Sequence, residues 1–110
     1  MPPEQLASAL ARFYRATVAL KGPNTYISDG ERTVLMAEGT SALAKAGTGD
    51  VLAGIIGSLM SQGCHPLDAC VLGCTLHARA GRLAAERTGE RSLIPEDLLD
   101  ALPKALQAIA

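Results

Sequence analysis

The sequence predicts an α/β fold on three observations. Ala16-Thr17-Val18-Ala19-Leu20 is a short, nearly continuous apolar run bounded by Lys21-Gly22-Pro23. Two β-rich segments flank Asp29-Gly30, and almost everything after Thr48 carries apolar residues at helical spacing. A doubly wound, ligand-binding sheet usually has about five or more parallel strands. One buried strand and one hairpin, followed by helices only, fall short of that number. Residues 1–110 therefore read as one unit, the C-terminal part of an α/β domain whose upstream strands are missing.

Each element has its own signal. Pro2-Pro3-Glu4 opens a helix, and Leu6, Leu10 and Phe13 continue it at helical spacing to about Tyr14. The run 16–20 fits a strand buried on both faces, as in a parallel sheet. Thr25-Tyr26-Ile27-Ser28 and Arg32-Thr33-Val34-Leu35-Met36 form a hairpin around Asp29-Gly30, residues that tolerate positive φ. Residues 38–46, rich in Gly, Thr, Ser and Ala, read as a loop. A helix runs from about Thr48 to Gln62, with Val51, Leu52, Ile55, Ile56, Leu59 and Met60 in register and Gly63 at its C-terminal cap. A second, from Pro66 to about Thr88, carries Gly73, Gly81 and many alanines, which suit close helix packing, and Gly89 ends it. Ser92 to Asp97 opens the last helix, which continues to Ile109.

Composition excludes several classes. Of the 110 residues, 48% are hydrophobic and 19% charged, enough for a packed core. Net charge is -1 and the arginines are scattered, which argues against nucleic acid and against an anionic membrane surface. No apolar run reaches the length of a membrane span, and Met1-Pro2-Pro3-Glu4-Gln5 does not open a secretory signal. Three cysteines do not suggest a disulfide framework. The compartment expected is the cytoplasm.

The chemistry is concentrated in Ala46-Gly47-Thr48-Gly49-Asp50-Val51-Leu52-Ala53-Gly54, a glycine-rich turn leading into an amphipathic helix. The first N–H groups of a helix lack internal partners and carry the positive end of its dipole. Glycines let a phosphate approach them closely, so Gly47, Thr48 and Gly49 would form an anion hole for a transferring phosphoryl group. Asp50, beside it, can accept a proton from an attacking hydroxyl or orient it. Alone, Gly-Thr-Gly-Asp is also what an ordinary capped helix start looks like. Its setting, after a strand ending in Lys-Gly and a hairpin, tips the balance.

Three segments, Leu20-Lys21-Gly22-Pro23-Asn24-Thr25, then Ala42 to Gly54, then Leu76-His77-Ala78-Arg79-Ala80-Gly81, together resemble the successive motifs of the NAD(P)H-hydrate dehydratase family. The resemblance implies the C-terminal part of a ribokinase-like domain. It implies ADP- or ATP-dependent dehydration of the S form of hydrated NADH or NADPH, with Mg²⁺ accompanying the phosphates. Lys21, Gly22, Pro23, Asn24 and Thr25 match the family's nucleotide-contacting segment, and Gly49 its glycine beside the adenine nucleotide. Asp50 matches the aspartate that meets the hydrated nicotinamide and is the catalytic and substrate-binding candidate. Many relatives have glycine where this chain has Ala46 and asparagine where it has Thr40. The partners expected are hydrated dinucleotide and adenine nucleotide, in a homo-oligomer.

Two other readings stay open: a sugar or vitamin kinase of the same fold, and a catalytically silent fragment that needs a partner. Cys70, Cys74 and His77 share one helix face. That face could hold a metal, but cysteines beside glycine and alanines read better as core, and no metal ligand is assigned.

Overall fold

The computed structural model describes residues 1–22, 24–36 and 48–109, the side chains of Thr48 and Ile109 excepted. Among them the elements run α1 (Pro3–Tyr14), β1 (Val18–Leu20), β2 (Thr25–Ser28), β3 (Thr33–Met36), α2 (Thr48–Ser61), α3 (Pro66–Thr88) and α4 (Pro95–Ile109). The strands form one antiparallel sheet in the order β1-β2-β3.

Pairing register fixes which side chains face which layer. Ala19 stands opposite Ile27, and both pack with Leu52, Cys70 and Cys74 of α2 and α3. Successive strand residues alternate faces, so Val18 and Leu20 point the other way, where α1 lies against β1 and β2. A second core joins the far half of α3 to α4, with Leu76, Ala80 and Ala84 against Leu93, Leu98, Ala101 and Ala105. Burying a leucine such as Leu98 contributes about 1.5–3 kcal/mol.

Local chemistry sets the boundaries. Gly63 adopts φ 94°; its N–H donates to the Met60 carbonyl, and the Cys64 N–H donates to that of Leu59, a Schellman ending for α2. At the start of α3, His65 Nδ1 accepts from the Leu67 N–H and Pro66 needs no acceptor. At the start of α4, Asp97 reaches back to accept from the Ile94 N–H at 2.8 Å, while its own N–H donates to the Ile94 carbonyl.

Two expectations need correction. The strand expected over 16–20 is three residues long, half-buried, and antiparallel to β2. A continuous apolar run signals two covered faces but says nothing of strand direction. The hairpin closes through a four-residue loop, 29–32, in which Gly30 alone takes positive φ, 97°. Asp29 acts instead through its carboxylate, which accepts from the N–H groups of Glu31 and Arg32 at 2.9 and 2.8 Å. The loop expected over 38–46, with Thr40 and Ala46, lies outside the described residues.

Candidate functional site

One end of the sheet gathers most of the residues singled out from the sequence. Leu20 pairs with Tyr26 and Thr25 with Met36, so the end of β1, the start of β2 and the end of β3 coincide. Lys21, Gly22 and Asn24 are exposed there, and Thr25 is half-buried. Met36 meets the Thr75 hydroxyl of α3 at 4.0 Å. Leu52, in the first turns of α2, packs in the cluster that holds Ala19, Met36 and Cys74. Farther along, Ile56 and Met60 share a groove with Ala16 and Thr17 at the other end of β1. Thus α2 runs antiparallel to β1, and its N-terminal turn opens at the end where the chain delivers Lys21.

Gly49 and Asp50 are exposed in that turn. A Cβ built on Gly49 would meet nothing within 4 Å among the described residues. Among the described residues, packing does not demand glycine at 49, and a bare backbone there leaves room for a ligand to approach. Pro23 and Gly47 lie outside the described residues. Thr48 begins α2, so its main chain, though not its side chain, belongs to the described turn.

Exposed anions at a helix N-terminus gain about 0.3–1 kcal/mol, less than a tenfold effect on affinity. A helix end alone is therefore too weak to hold a nucleotide, and a cation at the same end matters. The charge of Lys21 is felt at Cys74: burial pushes that thiol up, Cys70 adds to the effect, and the Lys21 ammonium pulls it partway back. Cys70, also raised by burial, and His77 are buried on the inner face of α3. Among the described residues no group of three His, Cys, Asp or Glu side chains is placed to hold a metal.

Sequence reasoning passed over a second concavity. A groove of about 720 Å³ lies at the opposite end of β1, bounded by Arg15, Thr17, Asp29, Met60, His65 and Cys70 among others. It contains none of the residues matched to nucleotide or substrate binding. The helix start beside it, that of α3, is already closed by His65 and Pro66. The start of α2, by contrast, carries no such side-chain cap among the described residues.

Comparison with known proteins follows the same lines. Residues 3–104 match the sequence profile of the NAD(P)H-hydrate dehydratase family. A bifunctional NAD(P)H-hydrate repair enzyme of Moorella thermoacetica is 42% identical over 105 residues, which are 94% of this chain and 20% of that protein. The crystal structure of the ADP/ATP-dependent NAD(P)H-hydrate dehydratase of Bacillus subtilis, co-crystallized with ATP/Mg²⁺, superposes with a TM-score of 0.87 at 29% identity; the match covers 97% of this chain and 40% of that one. A hydroxyethylthiazole kinase of Pyrococcus horikoshii superposes with a TM-score of 0.70 at 29% identity, over 96% of this chain and 40% of its own. The chain thus spans a minor part of each relative, and its fold is that of part of a ribokinase-like domain.

Proposed function

The chain belongs to the NAD(P)H-hydrate dehydratase family, and from that premise we propose that it is the C-terminal, nucleotide-binding half of a domain that dehydrates (S)-NADHX or (S)-NADPHX at the expense of ADP or ATP. What supports this reading is the antiparallel run of α2 along β1, which directs the first turn of α2, with Gly49 and Asp50, toward the end of β1 that leads to Lys21.

Each residue then has a task. The N–H groups of Gly47, and of Thr48 and Gly49 at the start of α2, receive the terminal phosphate, and Lys21 balances its charge. Gly22, Pro23, Asn24 and Thr25 line the path of the nucleotide. Asp50 accepts the proton of the ring hydroxyl as that oxygen takes the phosphoryl group, with AMP or ADP leaving. Phosphate then departs with the C–O bonding pair while the neighbouring ring carbon gives up a proton, which restores the double bond. Phosphate is a far better leaving group than hydroxide, which is why the reaction consumes a nucleotide.

Mg²⁺ usually keeps several waters and binds through one or two carboxylates and substrate phosphates. Here the nucleotide's own phosphates and water would hold it, without a dedicated protein cage. When bound, the ion neutralises the phosphates. Homo-oligomeric assembly and a cytoplasmic site of action complete the proposal; among the described residues no helix is long and apolar enough to cross a membrane.

The test is turnover of S-NADHX with ADP and ATP by the domain that contains this chain, with and without Asp50→Asn. The substitution is expected to lower turnover by about 100-fold or more while sparing nucleotide binding. Full activity in the variant removes Asp50 from its role, and phosphorylation of a small alcohol with the hydrate untouched favours the kinase reading.

A further inference from the structure

The two parts of the proposed site belong to different elements. Lys21, Gly22, Asn24 and Thr25 stand at the ends of β1 and β2, while Gly49 and Asp50 ride on α2. What holds α2 in place relative to the strands is α3. Among the described residues α2 packs chiefly against α3, and α3 in turn packs against β2 and β3. Leu52 and Ile56, four residues apart on one face of α2, meet Cys70 and Cys74 of α3 and Ala19 of β1 in a single cluster. The spacing between the two helices therefore sets where the first turn of α2 stands relative to the strand ends.

That spacing rests on Gly73, which is buried on the inner face of α3. A Cβ there would lie 2.6 Å from Ile56 Cγ1, with Ile55 Cγ2 and Ile56 Cδ1 both at 3.6 Å. Carbon atoms in contact sit about 3.5–4.0 Å apart, so one methyl would drive Ile56, or the helix that carries it, back by about 1 Å. The backbone does not ask for glycine here, since Gly73 is not among the residues of positive φ. Glycine inside a helix is unfavourable, and the close approach of Ile56 is what it permits. The glycines of α2 differ: a Cβ on Gly49, Gly54 or Gly57 would meet nothing within 4 Å among the described residues.

Resting on the nucleotide-site reading above, we propose that Gly73 is a positioning residue for the reaction. It seats α2 against α3 so that the α2 turn and the Lys21–Thr25 segment grip one nucleotide together. It touches no substrate and acts through Ile56, on the same helix as Asp50. Displacing reacting groups by about 1 Å costs about 100-fold in rate, so a single methyl at 73 is enough to be felt at the site.

The experiment compares Gly73→Ala, Gly73→Ala/Ile56→Ala and Gly30→Ala with wild type, in the complete domain that contains this chain and below each thermal midpoint. Isothermal titration reads the affinity for Mg²⁺-ADP, and turnover of S-NADHX gives kcat and the KM for ADP. Gly73→Ala is expected to weaken ADP binding and to raise its KM at least tenfold. A change that only destabilises lowers the folded fraction, and with it kcat, but not KM. The double variant removes the opposing Cγ1 and is expected to return affinity and KM to within threefold of wild type, although its stability stays below wild type. Gly30→Ala, whose Cβ would meet Arg12 Cγ at 2.9 Å beyond the far end of β2, is expected to leave both unchanged. Where Gly73→Ala does not fold, Gly73→Ala/Ile56→Val, which drops Cδ1 but keeps Cγ1, takes its place with at least a threefold loss expected. Unchanged affinity at position 73, no recovery in the double variant, or an equal loss with Gly30→Ala overturns the proposal. Wild type that binds ADP but leaves S-NADHX untouched refutes the dehydratase reading and leaves this test intact. Wild type that binds no ADP overturns both.

Discussion

Gly49 and Asp50 stand exposed in the first turn of α2, so changes there report on ligand rather than on folding. Gly49→Leu is expected to leave thermal stability unchanged, or to raise it by up to about 1 kcal/mol, because a helical glycine is costly and the space for a side chain is open. The same change is expected to weaken ADP binding at least tenfold; isothermal titration checks it, and unchanged affinity would remove the anion hole. Asp29 gives a pH test. The N–H groups of Arg32, then of Glu31, hold its carboxyl below its ordinary value. A group whose folded value is depressed adds stability above its unfolded value, about 3.9, and that stability is lost as pH falls through the lower folded value. Asp29→Ala should therefore flatten the acid side of the stability profile below about pH 4 and leave the neutral side parallel to wild type, as read by urea unfolding at a series of pH values. The place of Asp50 in the first turn of α2 was legible, because glycines and an acid mark a helix start locally. The role of His65 was not, since a capping imidazole has no signature apart from the turn that presents it.

Packing between α2 and α3 turns on one position. A Cβ on Gly73 would lie 2.6 Å from Ile56 Cγ1 and 3.6 Å from Ile55 Cγ2, so the two helices approach over a bare glycine. Gly73→Ala is expected to destabilise by about 1–3 kcal/mol through overpacking. Adding Ile56→Ala should cost less than the sum of the two single changes, and a double-mutant cycle by chemical denaturation measures the difference. Additive losses would show that the helices separate freely. Gly30→Ala, at φ 97° with its Cβ 2.9 Å from Arg12 Cγ, is expected to cost about 1–2 kcal/mol and to loosen α1 from the hairpin, which Arg12 ties by donating to the Gly30 carbonyl at 3.0 Å. The limits of α1, α2 and α3 were legible because proline, glycine and apolar spacing mark them locally. The direction of β1 was not. Pairing is decided by a segment several residues away, and a short apolar run reads alike in parallel and antiparallel sheets.

At the scale of the whole molecule, the described residues form three short strands and four helices. That small number of strands was legible by counting. Convergence at one end of Lys21 and the α2 turn was not, because it depends on α2 folding back antiparallel to β1, a consequence of the packing of Leu52 and Ile56 rather than of any motif. That convergence is the central claim, and amide chemical shifts of this chain during titration with Mg²⁺-ADP test it most directly. The account predicts shifts at Gly49–Val51 and at Lys21, Gly22, Asn24 and Thr25, with Thr17, Met60 and His65 unmoved. Shifts confined to the groove around Thr17, Met60 and His65, or none at the α2 turn at millimolar nucleotide, would contradict it.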